Sequence, residues 1–275
     1  MKNRHFYLYI GLIIFFIILV YHSTFAWLFE RYAAADSYYS YGLLVPFISI
    51  FLIWHKKEEL KKLDSQYSHW GITILVFSLS LHFISTLFDV FFLSGFSILF
   101  LVFGISLFLF GKKITREILF PLSFLFFMFP LPLELINSIS LPMSMFVVKS
   151  SVFILRRFAD IPITNEGFQL FLPKGTLVVE NLCSGLRSLI VMLALSSIFA
   201  YLLNANMLKK IVLFLLAFPI AIISNLIRVI LLCLAVYIYG SQKTMGFFHE
   251  FTGYLVFVIA FGGLWLCWKE LQWRI

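Results

Sequence analysis

An arginine stands inside one of the longest apolar stretches of the chain. Residues 214–239 contain Arg228 as their single charged side chain. An arginine near the centre of a membrane helix costs about 2.5–3.5 kcal/mol on insertion scales, and such residues usually face an internal polar site. Asn225 lies one predicted helical turn earlier on the same face, where it can orient the guanidinium. A structural arginine that pairs with a neighbouring helix is the simpler alternative.

A cysteine opens the preceding predicted helix, over residues 182–203. Cys183 is followed directly by Ser184, and by Arg187 one turn later. The positive end of a helix dipole favours the thiolate form of a cysteine, and Arg187 adds to that field. Cys183 is therefore a candidate nucleophile. Helix capping and packing are the simpler roles for Ser184 and Arg187.

A histidine lies where the last predicted span begins. His249 is part of GFFHEFTGY, residues 246–254. At about 1.5 Å of rise per residue, Arg228 stands about 25 Å above the inner end of its span, just below the outer boundary of a hydrocarbon core of about 30 Å. Cys183 and His249 occupy the outer ends of their helices, so the three share one depth. They permit thiolate attack on a carbonyl, with an imidazole for proton transfer and a guanidinium for the oxyanion.

The composition indicates that helices in a membrane must position these residues. Of 275 residues, 62% are hydrophobic, 12% are charged and 35 are phenylalanines. A soluble domain needs far more polar surface, so ordinary soluble, disordered and coiled-coil proteins are excluded. We expect an all-α polytopic protein that forms a single integral-membrane domain over residues 1–275. No cofactor or metal is expected, because there is no P-loop, no dinucleotide fingerprint and no ligand-spaced cysteine cluster.

Eight spans are predicted from windows of about 20 apolar residues. They cover residues 6–28, 38–54, 70–88, 91–110, 117–132, 182–203, 211–239 and 251–268. With the N-terminus inside, thirteen of the 21 lysines and arginines lie in inner segments and six in outer ones, as the positive-inside rule requires. The net charge of +8 is therefore topological and implies no nucleic-acid partner. We expect a multi-pass protein of the cell inner (cytoplasmic) membrane, with its candidate site on the outer, periplasmic side.

The segment 133–180 breaks the pattern of spans and is predicted to lie on the outer face. Residues 134–158 are apolar but interrupted by serines, a lysine and an arginine pair, which favours a helix at the membrane interface. Residues 161–180 alternate in polarity before a Pro173–Lys174–Gly175 turn, which predicts a small β-hairpin. The hairpin leads the chain directly to Cys183.

Four motifs resemble the exosortase/archaeosortase family of membrane cysteine transpeptidases. They are DSYYSYGLLVPFISIFLIW (36–54), VVENLCSGLRSL (178–189), PIAIISNLIRV (219–229) and FFHEFTGY (247–254), in the family's order. Tyr41 departs from the pattern, because many exosortases carry histidine there. Archaeal relatives have arginine at the position of His249, so His249 makes the chain more similar to bacterial exosortases.

The resemblance implies that Cys183 forms an acyl-thioester, with Arg228 and His249 as the other essential groups. The implied substrates are exported proteins with a C-terminal sorting signal, namely a short motif such as Pro-Glu-Pro, a transmembrane helix and a basic tail. The acyl group would pass to an acceptor, which is a lipid, a glycan or water. The roles of Arg228 and His249 could be exchanged between oxyanion stabilisation and proton transfer.

Two other classes of function fit part of the pattern. A transporter or flippase for exopolysaccharide precursors would use Arg228 to bind a phosphate, but it has no need of Cys183 at the same depth. A non-enzymatic assembly scaffold leaves Cys183, Arg228 and His249 without a role. Replacement of Cys183 by serine distinguishes them, because it abolishes processing only if the thiol is the nucleophile.

Overall fold

A computed structural model gives the fold of residues 2–34, 37–179, 185–244 and 248–273; the side chains of residues 2–10, 243, 249, 250 and 273 are outside this description. The chain divides into two compact units, Met1–Leu131 and Pro132–Ile275. The predicted organisation as one integral-membrane domain stays a prediction.

The first unit is built from helices. They are α1 (Lys2–Val20), α2 (His22–Ala33), α3 (Leu44–His55), α4 (Lys57–Leu60), α5 (Trp70–Leu87), α6 (Phe91–Glu117), α7 (Leu119–Phe124) and a 3-10 helix (Leu125–Met128). The antiparallel pair α5 and α6 forms its centre, and α3 packs on α7.

A bend at Tyr21 replaces the straight first span predicted over residues 6–28. The axes of α1 and α2 differ there by 74°. At the bend, the carbonyl oxygen of Val20 accepts a hydrogen bond of 3.1 Å from Nε2 of His82 on α5. The other ring nitrogen, Nδ1, lies 2.7 Å from Oγ of Ser94 on α6. Buried polar side chains therefore satisfy the backbone at the bend, as an apolar surrounding requires.

Basic residues gather at one end of the first unit. Nζ of Lys56 lies 3.1 Å from a carboxylate oxygen of Glu117, which brings the end of α3 beside the end of α6. Lys57, Lys61, Lys62, Lys112, Lys113 and Arg116 belong to the segments at this end. At the opposite end, the backbone N–H of Leu131 donates to the hydroxyl of Tyr39 at 3.3 Å. The first unit is thus strongly asymmetric in basic charge.

Residues 39–43, which belong to the first of the four family motifs, form the turn before α3. Tyr39 is 4% exposed, and burial raises its pKa to about 12. Burial raises the pKa of Tyr41 further, with a smaller contribution from Tyr39 and Tyr32. These hydroxyls are therefore neutral at physiological pH.

The second unit combines long helices with a small sheet. Its elements are α8 (Leu133–Ala159), β1 (Thr164–Glu166), β2 (Gln169–Leu172), β3 (Gly175–Val178), α9 (Leu186–Leu202), α10 (Met207–Tyr239), α11 (Ser241–Lys243) and α12 (His249–Trp273). α10 lies at its centre and contacts α8, α9 and α12.

The sheet has three antiparallel strands in the order β1-β2-β3. Leu172 pairs with Gly175 across the predicted turn, so the hairpin is confirmed, and β1 adds a third strand on its other side. One face of the sheet, including Leu170 and Leu177, joins a buried cluster with Val148 of α8 and Leu232 of α10. The sheet is thereby fixed against the C-terminal part of α10.

The predicted count of eight spans is not confirmed. By length and composition, α5, α6, α8, α10 and residues 251–272 of α12 can cross a membrane, and the bent pair α1–α2 can form a sixth span. In three of the predicted spans, the helix is too short over its described residues to meet the length of a membrane span. These helices are α3, α7 with its 3-10 extension, and α9. Conversely, residues 133–159, which were not predicted to be a span, form one helix of 27 residues that includes several serines and Pro142.

Candidate active site

Three helices of the second unit surround a cavity of about 500 Å³. Its walls come from the start of α9, the middle of α10 and the first turns of α12. The polar side chains that line it are Arg187, Ser188, Asn225, Arg228 and Tyr254, and two glycines, Gly185 and Gly253, also contribute to the wall. The cavity therefore collects two guanidinium groups, an amide and a hydroxyl from α9 and α10.

α10 presents Asn225 and Arg228 to this cavity from consecutive turns. Asn206 caps the N-terminus of this helix, because its side chain accepts a hydrogen bond of 3.1 Å from the backbone N–H of Lys209. The helix continues through Pro219 to Tyr239. Asn225 is 2% exposed, whereas Arg228 is half-buried. The predicted shared face of Asn225 and Arg228 is the face that lines the cavity.

Gly185 brings the start of α9 into close contact with Asn225. A Cβ atom at position 185 would lie 2.7 Å from Cγ and 2.8 Å from Nδ2 of Asn225, so a larger residue cannot fit. Gly185 also has φ +81°, in the left-handed region that glycine adopts most easily. Its carbonyl oxygen accepts a hydrogen bond of 2.7 Å from Oγ of Ser188. Glycine is thus required here for two independent reasons.

Gly253 also brings α12 close to Arg228, although less tightly than Gly185 approaches Asn225. A Cβ atom at position 253 would lie 3.3 Å from Nη2 and 3.7 Å from Cζ of Arg228. The guanidinium therefore rests against the backbone of α12, one helical turn after His249. The two glycines hold α9 and α12 against the same two turns of α10.

The structure does not describe two of the predicted site residues. Cys183 and Ser184 lie in the segment 180–184, outside the described residues. His249 is the first residue of α12, and its side chain is also outside the described part. Arg187 stands in the first turn of α9. Arg187, Asn225 and Arg228 are thus brought together, whereas the relation of Cys183, Ser184 and His249 to them stays a prediction.

Of the predicted helix 182–203, residues 182–184 lie outside the described residues. α9 begins at Leu186, after Gly185. The reason is the left-handed conformation of Gly185, which cannot continue into a right-handed helix.

The described groups suit the binding of an anion or of an oxygen that gains negative charge. Guanidinium and amide N–H groups are donors, and their hydrogen bonds to charged oxygens are stronger than those between neutral groups. Among the residues that the structure describes, no group of three His, Cys, Asp or Glu residues is placed to hold a metal ion.

A family model of transmembrane exosortases matches residues 27–266, which include every predicted site residue. The chain belongs to the transmembrane exosortase family. No curated protein and no solved structure matches it. Family membership supports, in general terms, a membrane-embedded transpeptidase related to protein sorting. It also supports multi-pass insertion in a membrane.

Sequence reasoning about this exosortase missed Gly185, Ser188 and Gly253. Gly185 directly follows the Cys-Ser pair, and Gly253 lies in FTGY, close to the candidate histidine. A glycine in a predicted helix is unfavourable unless another backbone or side chain approaches closely. That cost was the available signal, but only the structure identifies Asn225 and Arg228 as the approaching groups.

Proposed function

We propose that this chain is a cysteine transpeptidase that processes the C-terminal sorting signal of exported proteins through an acyl-thioester on Cys183. The observation that carries the proposal is the cavity between α9, α10 and α12, which Arg228 lines. Chain connectivity keeps the Cα of Cys183 within about 7 Å of the Cα of Gly185 in the cavity wall. His249 begins α12 one helical turn before Gly253, which contacts Arg228.

In the proposed reaction, the Cys183 thiolate attacks the carbonyl carbon of the scissile peptide bond. Arg228 donates hydrogen bonds to the oxyanion of the tetrahedral intermediate, a contribution that strengthens as charge develops. His249 takes the thiol proton and gives it to the leaving amine as the C–N bond breaks. A lipid, glycan or water nucleophile then attacks the thioester, and the thiol is released. The exchanged assignment of Arg228 and His249 remains the alternative within this mechanism.

The length of α10 supports a site near the membrane boundary. Its 33 residues span about 50 Å at 1.5 Å per residue, whereas the hydrocarbon core is about 30 Å thick. The residues after Arg228, from Val229 to Val236, pack against the sheet. Because a small sheet with an open edge is unstable in lipid, we assign the sheet-covered part of α10 to the region beyond the hydrocarbon core. Arg228 then stands at the boundary, where the substrate's own helix would end.

The sheet is the proposed recognition element for the sorting motif. β1 and β3 are the two edge strands of the sheet; β3 packs on α10 and α11 and β1 on α8, and we assign recognition to the edge of β1. An extended peptide such as a Pro-Glu-Pro segment can add to a sheet edge through backbone hydrogen bonds. The simpler alternative is that the sheet only covers the end of the helices.

Replacement of Cys183 by alanine tests the proposal. We expect complete loss of processing of a reporter that carries a sorting signal, at unchanged abundance in the membrane. The matched control is Cys267→Ala on α12, a half-buried thiol about 27 Å along the helix from His249, which should retain processing. Normal processing by Cys183→Ala would favour the transporter reading, in which Arg228 binds a phosphate.

A further inference from the structure

A second cavity of the same unit lies on the outside of α8, away from the proposed active site. It has a volume of about 440 Å³ and lies between the C-terminal third of α8 and β1. Its charged lining is entirely basic and consists of Lys149, Arg156 and Arg157, with the amide of Asn165 from β1. Val152 and Phe153 supply its apolar wall.

One of these arginines is fixed in place. Nε of Arg156 donates a hydrogen bond to the carbonyl oxygen of Ile163, just before β1. That bond joins α8 to the sheet and leaves the two terminal nitrogens of the guanidinium as further donors. Asn165 is held similarly, because its Nδ2 donates to the carbonyl oxygen of Gly167 at 3.3 Å. Two of the polar side chains that line the cavity are thus fixed by bonds within the protein.

The cations are not neutralised within the described part of the chain. There, the ion pairs are Lys56–Glu117 and Lys61–Glu58, and neither involves the cavity. The carboxylates nearest in sequence, Asp160 and Glu166, are exposed and pair with none of the three cations. Three positive charges around one cavity repel each other unless an anion lies between them.

The helix dipole explains only part of this cluster. Arg156 and Arg157 stand in the last turn of α8, where cations stabilise a helix end. Lys149 stands ten residues before Ala159, about 15 Å from that end, where the dipole has no effect. Its neighbours on the same exposed face are Phe146 and Phe153, which are 56% and 64% exposed. A lysine between two exposed phenylalanines suits an anion that comes together with an apolar body.

We propose that this cavity binds the phosphodiester headgroup of a membrane phospholipid. The phosphate lies among Lys149, Arg156 and Arg157, and the acyl chains cover Phe146 and Phe153. Juxtamembrane cations and amphipathic helices bind lipid headgroups in this way. A free phosphate would satisfy the cations but leave the phenylalanines uncovered. The site is independent of the proposed chemistry at Cys183.

Lipid retention by the purified full-length protein tests the proposal. Native mass spectrometry in detergent would count bound phosphatidylglycerol, with diacylglycerol of the same acyl chains as the phosphate-free probe. The main variant is Lys149→Gln/Arg157→Gln, which keeps the bond from Arg156 to Ile163. We expect it to need about 5- to 30-fold more phosphatidylglycerol for half-occupancy, because each cation near a headgroup contributes about fivefold, whereas diacylglycerol should bind both proteins equally weakly.

Two controls separate charge at this cavity from net charge and from folding. Lys61→Gln/Lys62→Gln removes two cations from the first unit and should retain phosphatidylglycerol like the wild type. Lys149→Arg/Arg157→Lys keeps both charges and should also retain phosphatidylglycerol, which separates loss of charge from replacement of the two side chains, and thermal unfolding of the Gln variant checks that it is folded.

Three results would overturn the proposal. The first is equal retention of phosphatidylglycerol by the wild type and by Lys149→Gln/Arg157→Gln. The second is its complete displacement by an equal concentration of inorganic phosphate, which would identify a site for free phosphate. The third is a glutamate-containing peptide that binds the wild type but not the variant while lipid binding is unchanged, which would identify a peptide site.

Discussion

The contact between Gly253 and Arg228 gives a direct test of the proposed site that leaves every reactive group in place. We consider Gly253→Ala and Gly253→Leu on α12. The alanine Cβ would lie 3.3 Å from Nη2 of Arg228, which is tighter than an ordinary contact, so the guanidinium must move by a few tenths of an ångström. The leucine side chain occupies the space of the guanidinium itself and displaces it by about 1 Å or more.

These displacements predict the size of the effect. A misplacement of about 1 Å near the reacting groups costs about 10²-fold in rate, and loss of a whole oxyanion donor costs about 10²–10³-fold. We therefore expect processing to slow by about three- to tenfold in Gly253→Ala and by about 10²-fold in Gly253→Leu. The Gly253→Ala variant should nevertheless be more stable than the wild type, because glycine inside a helix is less favourable than alanine by about 0.5–1 kcal/mol.

The assay is the rate of reporter processing in membranes, normalised to the amount of protein and paired with thermal unfolding. Gly262→Ala is the matched control, because it lies on α12 and nothing lies within 4 Å of its Cβ position. It should gain the same helix stability and keep the wild-type rate. Wild-type processing by Gly253→Leu at normal abundance would refute the reasoning, since the position of the Arg228 guanidinium would then not matter for the reaction.

Three further outcomes follow from the proposed site and sheet. Arg228→Lys should lose about 10²–10³-fold in processing at equal abundance, because an ammonium lacks the planar pair of donors; a rate near the wild type would reduce Arg228 to a counter-charge. Gly167→Val should slow processing without changing thiol labelling of Cys183, because the position is open but its φ of +56° strains valine. Gly175→Val should lower both processing and thiol labelling, because its Cβ would meet Ser241 of α11. Unchanged processing in Gly167→Val would make the sheet only a cover. A membrane-impermeant maleimide applied to intact cells should label Cys183 and not Cys267, and labelling of Cys183 only in opened cells would contradict the outward orientation.

The sheet shows what the sequence could and could not predict. Alternating polarity and the Pro173–Lys174–Gly175 turn predicted β2 and β3, because both signals are local. β1 is only three residues long and its side chains are mostly exposed, so it has no apolar alternation of its own. It is a strand because its register pairs Asn165 with Leu170. Tertiary pairing of this kind leaves no local signal in a single sequence.

The helices show a similar limit. The length of the apolar stretches correctly located α5, α6, α10 and α12, which are long and apolar enough to cross a membrane. It could not reveal the bend at Tyr21, where the carbonyl oxygen of Val20 accepts a hydrogen bond from His82, a residue 62 positions from Val20 in sequence. It also suggested full spans where α3 and α9 are short as described, because apolar turns extend an apolar window beyond the helix itself.

The side of the membrane that the site faces depends on α8. In the first unit, the end with Lys56 and its basic neighbours should face the cytoplasm by the positive-inside rule. Leu131 donates its N–H to Tyr39 at the opposite end of this unit, which the same rule predicts to face outward. In the predicted topology, α8, which begins at Leu133, is expected to start on the outer side.

If α8 crossed the membrane, the sheet and the start of α9 would follow it to the inner side. Its charges argue against crossing. Lys149, Arg156 and Arg157 lie around one cavity on an exposed surface that also carries Phe153, as in helices that lie within the headgroup region. A helix that stays at the outer interface would deliver the chain to Cys183 on the outer side, where the proposed exported substrates would be. The orientation of the active site and the headgroup site on α8 are therefore linked. An inward-facing Cys183 would require α8 to cross the membrane with Lys149 inside it. A charged side chain within a membrane helix carries an unfavourable insertion free energy.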